Sequence, residues 1–139
     1  MENESREIYT KNFDEWGHKK KIINSRIILD DFFFLEGEIW WTSIGVNIHK
    51  EIDGKNGNFE RPVLILKKIS EDTLWAVPIS STEKISHYTH EIILGGKRRT
   101  LLLFQLRFIS AYRLINLVSK VDNAQFNTIR NKVRDILLS

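Results

Sequence analysis

Glu36-Gly37-Glu38-Ile39-Trp40-Trp41, then a long polar loop, then Arg61-Pro62-Val63-Leu64-Ile65-Leu66, and past a turn Val77-Pro78-Ile79-Ser80-Ser81: the fold of this chain is decided here. The three apolar runs are short and rich in β-branched and aromatic residues, which suits strands. Glu38 to Ser43 reads as the first. Pro62 has no N–H to give a ladder, so it belongs at a strand start or edge, and Arg61 opens the second strand. Ser70-Glu71-Asp72 is a turn that sends Thr73 to Ile79 back as a hairpin partner. The loop from Gly45 to Glu60, with Gly54, Asn56, Gly57 and Asn58, has no periodicity. Loops of that length inside a compact domain are usually functional or disordered. Arg61 precedes one run, and Ser80 and Ser81 follow another. An arginine and a hydroxyl at the mouths of adjacent strands can grip a phosphate.

Outward from this stretch, Thr89 to Leu94 reads as another strand, Gly95-Gly96-Lys97 as a turn, and Thr100 to Ile109 as one continuous strand. Ala111 to Leu117 fits no single class. Asp122 or Asn123 can cap a helix that runs to about Leu138, its apolar stripe made by Phe126, Ile129, Val133, Ile136 and Leu137. On the other side, residues 1–35 form an N-terminal extension. Phe13, Trp16, Lys20, Ile23 and Ile27 fall at helical spacing and predict a helix from about Asp14 to Ile28. Lys19-Lys20-Lys21 reads as its solvated face, Asp30-Asp31 as its end, and Phe32-Phe33-Phe34-Leu35 as an extended approach to the core. Trp40 and Trp75 are expected in the core, with Trp41 turned outward by strand alternation. Short strands with hairpin turns and one terminal helix predict a mainly β (α+β) fold: a small, partly closed antiparallel barrel over residues 36–139, with an N-terminal helical extension and a C-terminal helix.

Composition narrows the function classes. A chain of 139 residues with 42% hydrophobic and 28% charged residues fits one globular domain. No run of about 18 apolar residues predicts a membrane span. Met1 to Arg6 is polar and acidic, unlike a signal peptide, so the expected location is cytoplasmic. Cysteine is absent, which excludes disulfides, thiolate catalysis and Cys-based zinc sites. The histidines are not at paired helical spacing and Asp30-Asp31 is isolated, so neither metal nor other cofactor is expected. A net charge of +3 permits a nucleic-acid partner without demanding one.

Gly37-Glu38-Ile39-Trp40-Trp41, Glu51, Arg61 to Leu66 and Val77 to Ser81, followed by Leu103-Phe104-Gln105-Leu106-Arg107 and Arg113-Leu114-Ile115-Asn116, together resemble the MazF/PemK family of toxins from bacterial toxin–antitoxin pairs. The resemblance covers roughly residues 36–138. It implies an SH3-like barrel, usually a homodimer, that cleaves single-stranded RNA at a short motif without metal. It also implies a cognate antitoxin whose flexible segment orders as it blocks the RNA groove. Arg61-Pro62 sits where the family carries its catalytic arginine. Without that pattern Arg61 would read as a surface arginine beside Glu60. Ser80 falls where these toxins commonly have threonine. It keeps the hydroxyl and loses the methyl group that helps fix it, and Ser81 or Thr82 could share its role.

Cleavage through the 2′-OH needs a proton acceptor and a proton donor. Glu51 is a candidate because family members often have a glutamate in this loop. His90, in Tyr88-Thr89-His90-Glu91, resembles a Thr-His stretch of some relatives, and His49 and His87 share its chemistry. Trp41, Phe59, Tyr88 and His90 could stack bases, and Lys50, Lys55 and Lys84 could follow the backbone. Lys97-Arg98-Arg99 reads better as a solvated turn. Gln105 and Arg107 could reach the site or satisfy buried backbone groups. The rival readings are a toxin of the same barrel that poisons DNA gyrase by protein contact, and a catalytically silent RNA- or protein-binding relative. The gyrase reading wants an aromatic and charged C-terminus, whereas this chain ends Ile136-Leu137-Leu138-Ser139.

Overall fold

A computed structural model describes residues 11–27, 32–45, 47–48, 51–55 and 59–138. Seven antiparallel strands make the sheet: β1 (Glu38–Ser43), β2 (Glu60–Lys68), β3 (Thr73–Ser80), β4 (Thr89–Leu94), β5 (Lys97–Leu102), β6 (Arg107–Ser110) and β7 (Leu114–Lys120). They lie in the order β4-β5-β3-β2-β1-β7, with β6 also on β3. Helix α1 (Phe13–Asn24) precedes the sheet and α2 (Asn123–Leu138) closes the chain. The fold is the expected α+β half-barrel.

Two apolar cores, one on each side of the sheet, explain why β2 and β3 read as nearly unbroken hydrophobic runs. Strand alternation sends neighbouring residues to opposite faces. Ile39, Leu64, Val77, Ile79 and Leu101 pack against Ile129 and Val133 of α2. Trp40, Val63, Ile65, Ala76 and Ile109 form the second core with Phe34. Glu38 is buried and fixes the entrance, accepting the Leu35 backbone N–H at 2.8 Å and the Trp40 indole N–H at 2.9 Å. Gly95 and Gly96 both take positive φ, 62° and 78°, which matches the tight β4–β5 turn to the twist of its strands. Asp122 caps α2, its Oδ1 accepting the Gln125 N–H at 2.7 Å.

The structure departs from the sequence expectations at several points. The single strand over Thr100 to Ile109 is instead β5, a 3₁₀ turn at Leu103–Gln105, and β6. β3 is the reason: its end pairs with β5 at Ile79–Leu101 and Ser80–Thr100, while its start pairs with β6 from Thr73–Ser110 to Ala76–Arg107. The chain must step along β3 between the two. Ala111 to Leu117 likewise splits into a 3₁₀ turn at Ala111–Arg113 and the start of β7. The N-terminal helix stops at Asn24, where the Ser25 N–H and hydroxyl both bond the Ile22 carbonyl. Of its predicted stripe only Trp16 and Ile23 are buried, while Phe13 and Ile27 face solvent; Ile28 and Asp30-Asp31 lie outside the described residues. Trp75 is exposed because Leu74 and Ala76 on either side of it are taken by the second core, and Leu137 of the α2 stripe is exposed as well. Among the described residues no helix is long and apolar enough to cross a membrane.

Candidate active site

The ladder pair Val63–Pro78 fixes how β2 and β3 face each other. Two residues further along each strand lie Arg61 and Ser80, and alternation puts both on the face of the second core. Arg61 is only 7% exposed. Its Nε donates to the Asp53 carbonyl at 2.8 Å and its Nη1 to the Ile79 carbonyl at 3.1 Å. On the other side its ladder partner is Thr42, fully buried, whose hydroxyl donates to the Trp40 carbonyl. Burial lowers the Arg61 pKa and the nearby Asp53 charge opposes that shift. A guanidinium remains protonated through any such shift. Both of its hydrogen-bonded acceptors are neutral, so they aim the group without cancelling its charge, and donors remain for an anion.

Ser80 is half-buried and its Oγ accepts the Thr82 N–H at 3.1 Å. Ser81, just past the end of β3, accepts from Lys55 Nζ at 2.7 Å. Of the three adjacent hydroxyls weighed above, Ser80 is the one that β3 holds on the face of Arg61.

A second group stands beside this corner. Glu51, Phe104, Gln105, Leu106 and Arg107 line an open cleft of about 470 Å³. Gln105 Oε1 accepts the Ile52 N–H at 2.7 Å, so Gln105 satisfies a backbone group and lines the cleft at once. Ile52 precedes Asp53, whose carbonyl holds Arg61. The cleft floor and the arginine clamp are thus joined through one peptide. Glu51 accepts the Ile48 N–H at 2.9 Å. Burial lowers the Arg107 pKa against the pull of Glu51, and burial followed by the like charge of Arg107 lowers that of Arg113. Arg113 donates to the Ser43 and Ile44 carbonyls at 3.2 and 3.3 Å.

The remaining candidates scatter. Phe59 is a correction. It is buried at 6% exposure, holds a positive φ of 59°, and packs on Trp16 with ring centroids 5.6 Å apart, so it is not open to a base. Its burial follows from the helix that covers the loop. Trp41 is half-exposed and its indole N–H donates to Glu60. Lys84 lies 5.8 Å from the ring of Phe104, at the cleft. Tyr88 is exposed with its ring against His87. Lys97, Arg98 and Arg99 are the first residues of β5 and not part of the turn, which is Gly95-Gly96; Lys97 and Arg98 are exposed, and Arg98 reaches Glu83 at 3.9 Å. Lys50 and His49 lie outside the described residues.

His90 is not brought to Arg61. It pairs across β5 with Leu101, which in turn pairs with Ile79, so it shares the α2 face and not that of Ser80. Burial lowers its pKa, helped by Lys132 and opposed by Glu91. The unfolded chain therefore binds the proton more readily. The resulting stability is full above the ordinary imidazole pKa and is lost as pH falls from there through the folded value. The unfolding midpoint should accordingly drop more between pH 7 and 5 in the wild type than in His90→Asn.

Asp53, Phe104 and Arg113 were not singled out as site residues from sequence. Asp53 acts through its backbone, which leaves no side-chain pattern. Phe104 had a signal, since an aromatic beside Gln105 sits in the Leu103–Arg107 motif, and it is 47% exposed. Ser43 presents a different feature: among the described residues its Oγ is buried without a partner. Removing an unpaired hydroxyl while leaving the carbonyl that holds Arg113 should make Ser43→Ala neutral, or stabilising by up to about 1 kcal/mol, in urea unfolding.

Residues 35–137 match the model of the PemK-like, MazF-like toxins of type II toxin–antitoxin systems. The chain belongs to this family. Its quoted motifs supply Arg61, Ser80, Gln105 and Arg107, and the PemK/MazF domain therefore contains both the clamp and the cleft. No curated protein matches the chain in sequence. Among solved structures, MazF of Deinococcus radiodurans is similar with a TM-score of 0.62 at 16% identity, over 77% of this chain and 98% of that one. Mycobacterium tuberculosis toxin MazF-mt6 gives 0.56 at 13% identity, over 72% and 95%. A mycobacterial endoribonuclease in complex with its cognate antitoxin gives 0.57 at 13%, over 75% and 94%. At these identities the likeness is one of fold.

Proposed function

We propose that this toxin is an endoribonuclease that cuts single-stranded RNA at a short sequence motif without metal and is silenced by a cognate antitoxin. The observation that carries the reading is Arg61: a buried guanidinium, oriented by two neutral carbonyls, on the same face as Ser80 and beside an open cleft. Arg61 stabilises the extra negative charge of the phosphorane-like transition state. Ser80 orients the scissile phosphate. Glu51, in the cleft with Arg107, takes the proton as the 2′-oxygen forms its bond to phosphorus. The P–O5′ bond breaks, a proton is returned to the leaving oxygen, and the products are a 2′,3′-cyclic phosphate and a 5′-OH. His90, on the far face, is left without a part in this chemistry.

Phe104 with Lys84 offers a stacking and charge platform at the cleft, with Gln105 and Arg107 reading and holding the strand. An antitoxin segment ordering over the same cleft would exclude RNA. The mycobacterial endoribonuclease solved with its antitoxin supports that partner class. Homodimerisation is supported by β7, an edge strand whose Ile115, Leu117 and Val118 are exposed. Messenger RNA as substrate places the activity in the cytoplasm.

The experiment offers one oligoribonucleotide as a single strand, as a duplex, and as DNA of the same sequence. Cleavage of the single-stranded RNA alone, with cyclic phosphate at the new 3′ end, is expected. Equal cleavage of the DNA would contradict attack by the 2′-OH.

A further inference from the structure

We propose that Lys11, just ahead of α1 and outside the family's matched region, is a positioning residue for Arg61. It holds the Asp53 carboxylate, so that Asp53 bonds the guanidinium through its carbonyl and not through its carboxylate. The inference rests on the endoribonuclease reading of the Arg61 site.

The geometry is a short relay. Lys11 Nζ lies 3.3 Å from each carboxylate oxygen of Asp53 and also donates to the Asn47 carbonyl. The Asn47 N–H donates to Asp53 Oδ1 at 2.6 Å. The carboxylate is thus engaged on the side of α1, while the carbonyl of the same residue accepts from Arg61 Nε at 2.8 Å. The pair is sheltered, with side-chain exposures of 15% and 13%. Asp53 is close enough to act on Arg61 electrostatically. Released, a carboxylate at this distance favours a charge-assisted, bidentate pair with an arginine. Such a pair would neutralise the charge that a phosphate in the transition state needs.

Helix α1 keeps Lys11 in place. Trp16 seats on Phe59 and Gly45, Lys19 reaches Glu60 at 3.5 Å, and Arg26 donates to the Tyr112 carbonyl at 2.9 Å. The family's matched region begins at residue 35, so this support belongs to the extension of this chain.

The test compares wild type, Lys11→Met, Asp53→Asn and the double variant, all as the full chain, in single-turnover cleavage of one oligoribonucleotide. Lys11→Met is expected to cut roughly tenfold more slowly with KM changed less than about twofold, and the double variant to cut as fast as Asp53→Asn alone. Lys11→Arg should cut faster than Lys11→Met. A purely structural anchor would leave the double variant as slow as Lys11→Met, and that result overturns the proposal. The Arg61 Nε–H resonance gives a readout that needs no RNA. It should shift in Lys11→Met and return toward its wild-type position in Lys11→Met/Asp53→Asn, and an unmoved resonance also overturns the proposal. Wild type that leaves RNA intact while the resonance behaves as stated would instead count against the nuclease reading alone.

Discussion

Arg61→Ala should lower the rate of RNA cleavage by roughly 10³-fold with KM little changed, because a donor preorganised for developing charge acts in the transition state. The structure gives the reason for expecting a loss of that size. The guanidinium is buried, held by the Asp53 and Ile79 carbonyls, and bonded to no carboxylate among the described residues. Its charge is therefore available in a site from which water is largely excluded, where it counts for more than at the surface. Alanine also removes the arginine's hydrogen bonds to the Asp53 and Ile79 carbonyls, at a stability cost of about 1–3 kcal/mol, so urea unfolding must accompany the rate. Arg61→Lys separates charge from geometry. An ammonium keeps the charge but cannot hold both carbonyls and still present a fork to the phosphate. Lysine should thus recover only a minor part of the lost rate, as single-turnover kinetics would show.

Gly45→Ala should destabilise the protein by roughly 3 kcal/mol, combining left-handed strain with overpacking against a rigid ring. Gly45 has a φ of +86°, and a Cβ there would lie 2.0 Å from the Trp16 ring. The ring cannot yield in place, since it is wedged against Phe59 and faces Arg113, whose guanidinium carbon is 5.7 Å away. The substitution should push Trp16 off the loop and release α1. A lower urea midpoint and red-shifted tryptophan fluorescence would report this, whereas an unchanged midpoint would mean that α1 contributes little to the native state.

The limits of β1 and β4 were legible because their signals are local. The β1 run is bounded by Gly37 and Gly45, and the β4 run ends at Gly95-Gly96. The break between β5 and β6 was not legible, because it arises from β3 being shared by two partners and not from any residue between Thr100 and Ile109. The same holds for Trp75, which turns outward only because the second core claims its neighbours. That Arg61 and Ser80 share a corner was legible, since each ends a run read as a strand and the hairpin between the runs sets those ends side by side. Phe59 misled as an aromatic in a polar loop, because nothing in that loop announces a helix from the extension lying over it. The face of His90 was not legible either: its motif is local, while the face it occupies depends on the register of β4 with β5 and of β5 with β3.

The central claim is that Arg61 serves an RNA-cutting site, and the most direct test maps the new 5′ ends formed when purified protein meets a long single-stranded RNA in EDTA. Discrete ends carrying 5′-OH groups at one repeated short motif are expected, absent with Arg61→Ala. RNA left intact by the wild type at high protein concentration, or cut equally by Arg61→Ala, would contradict it.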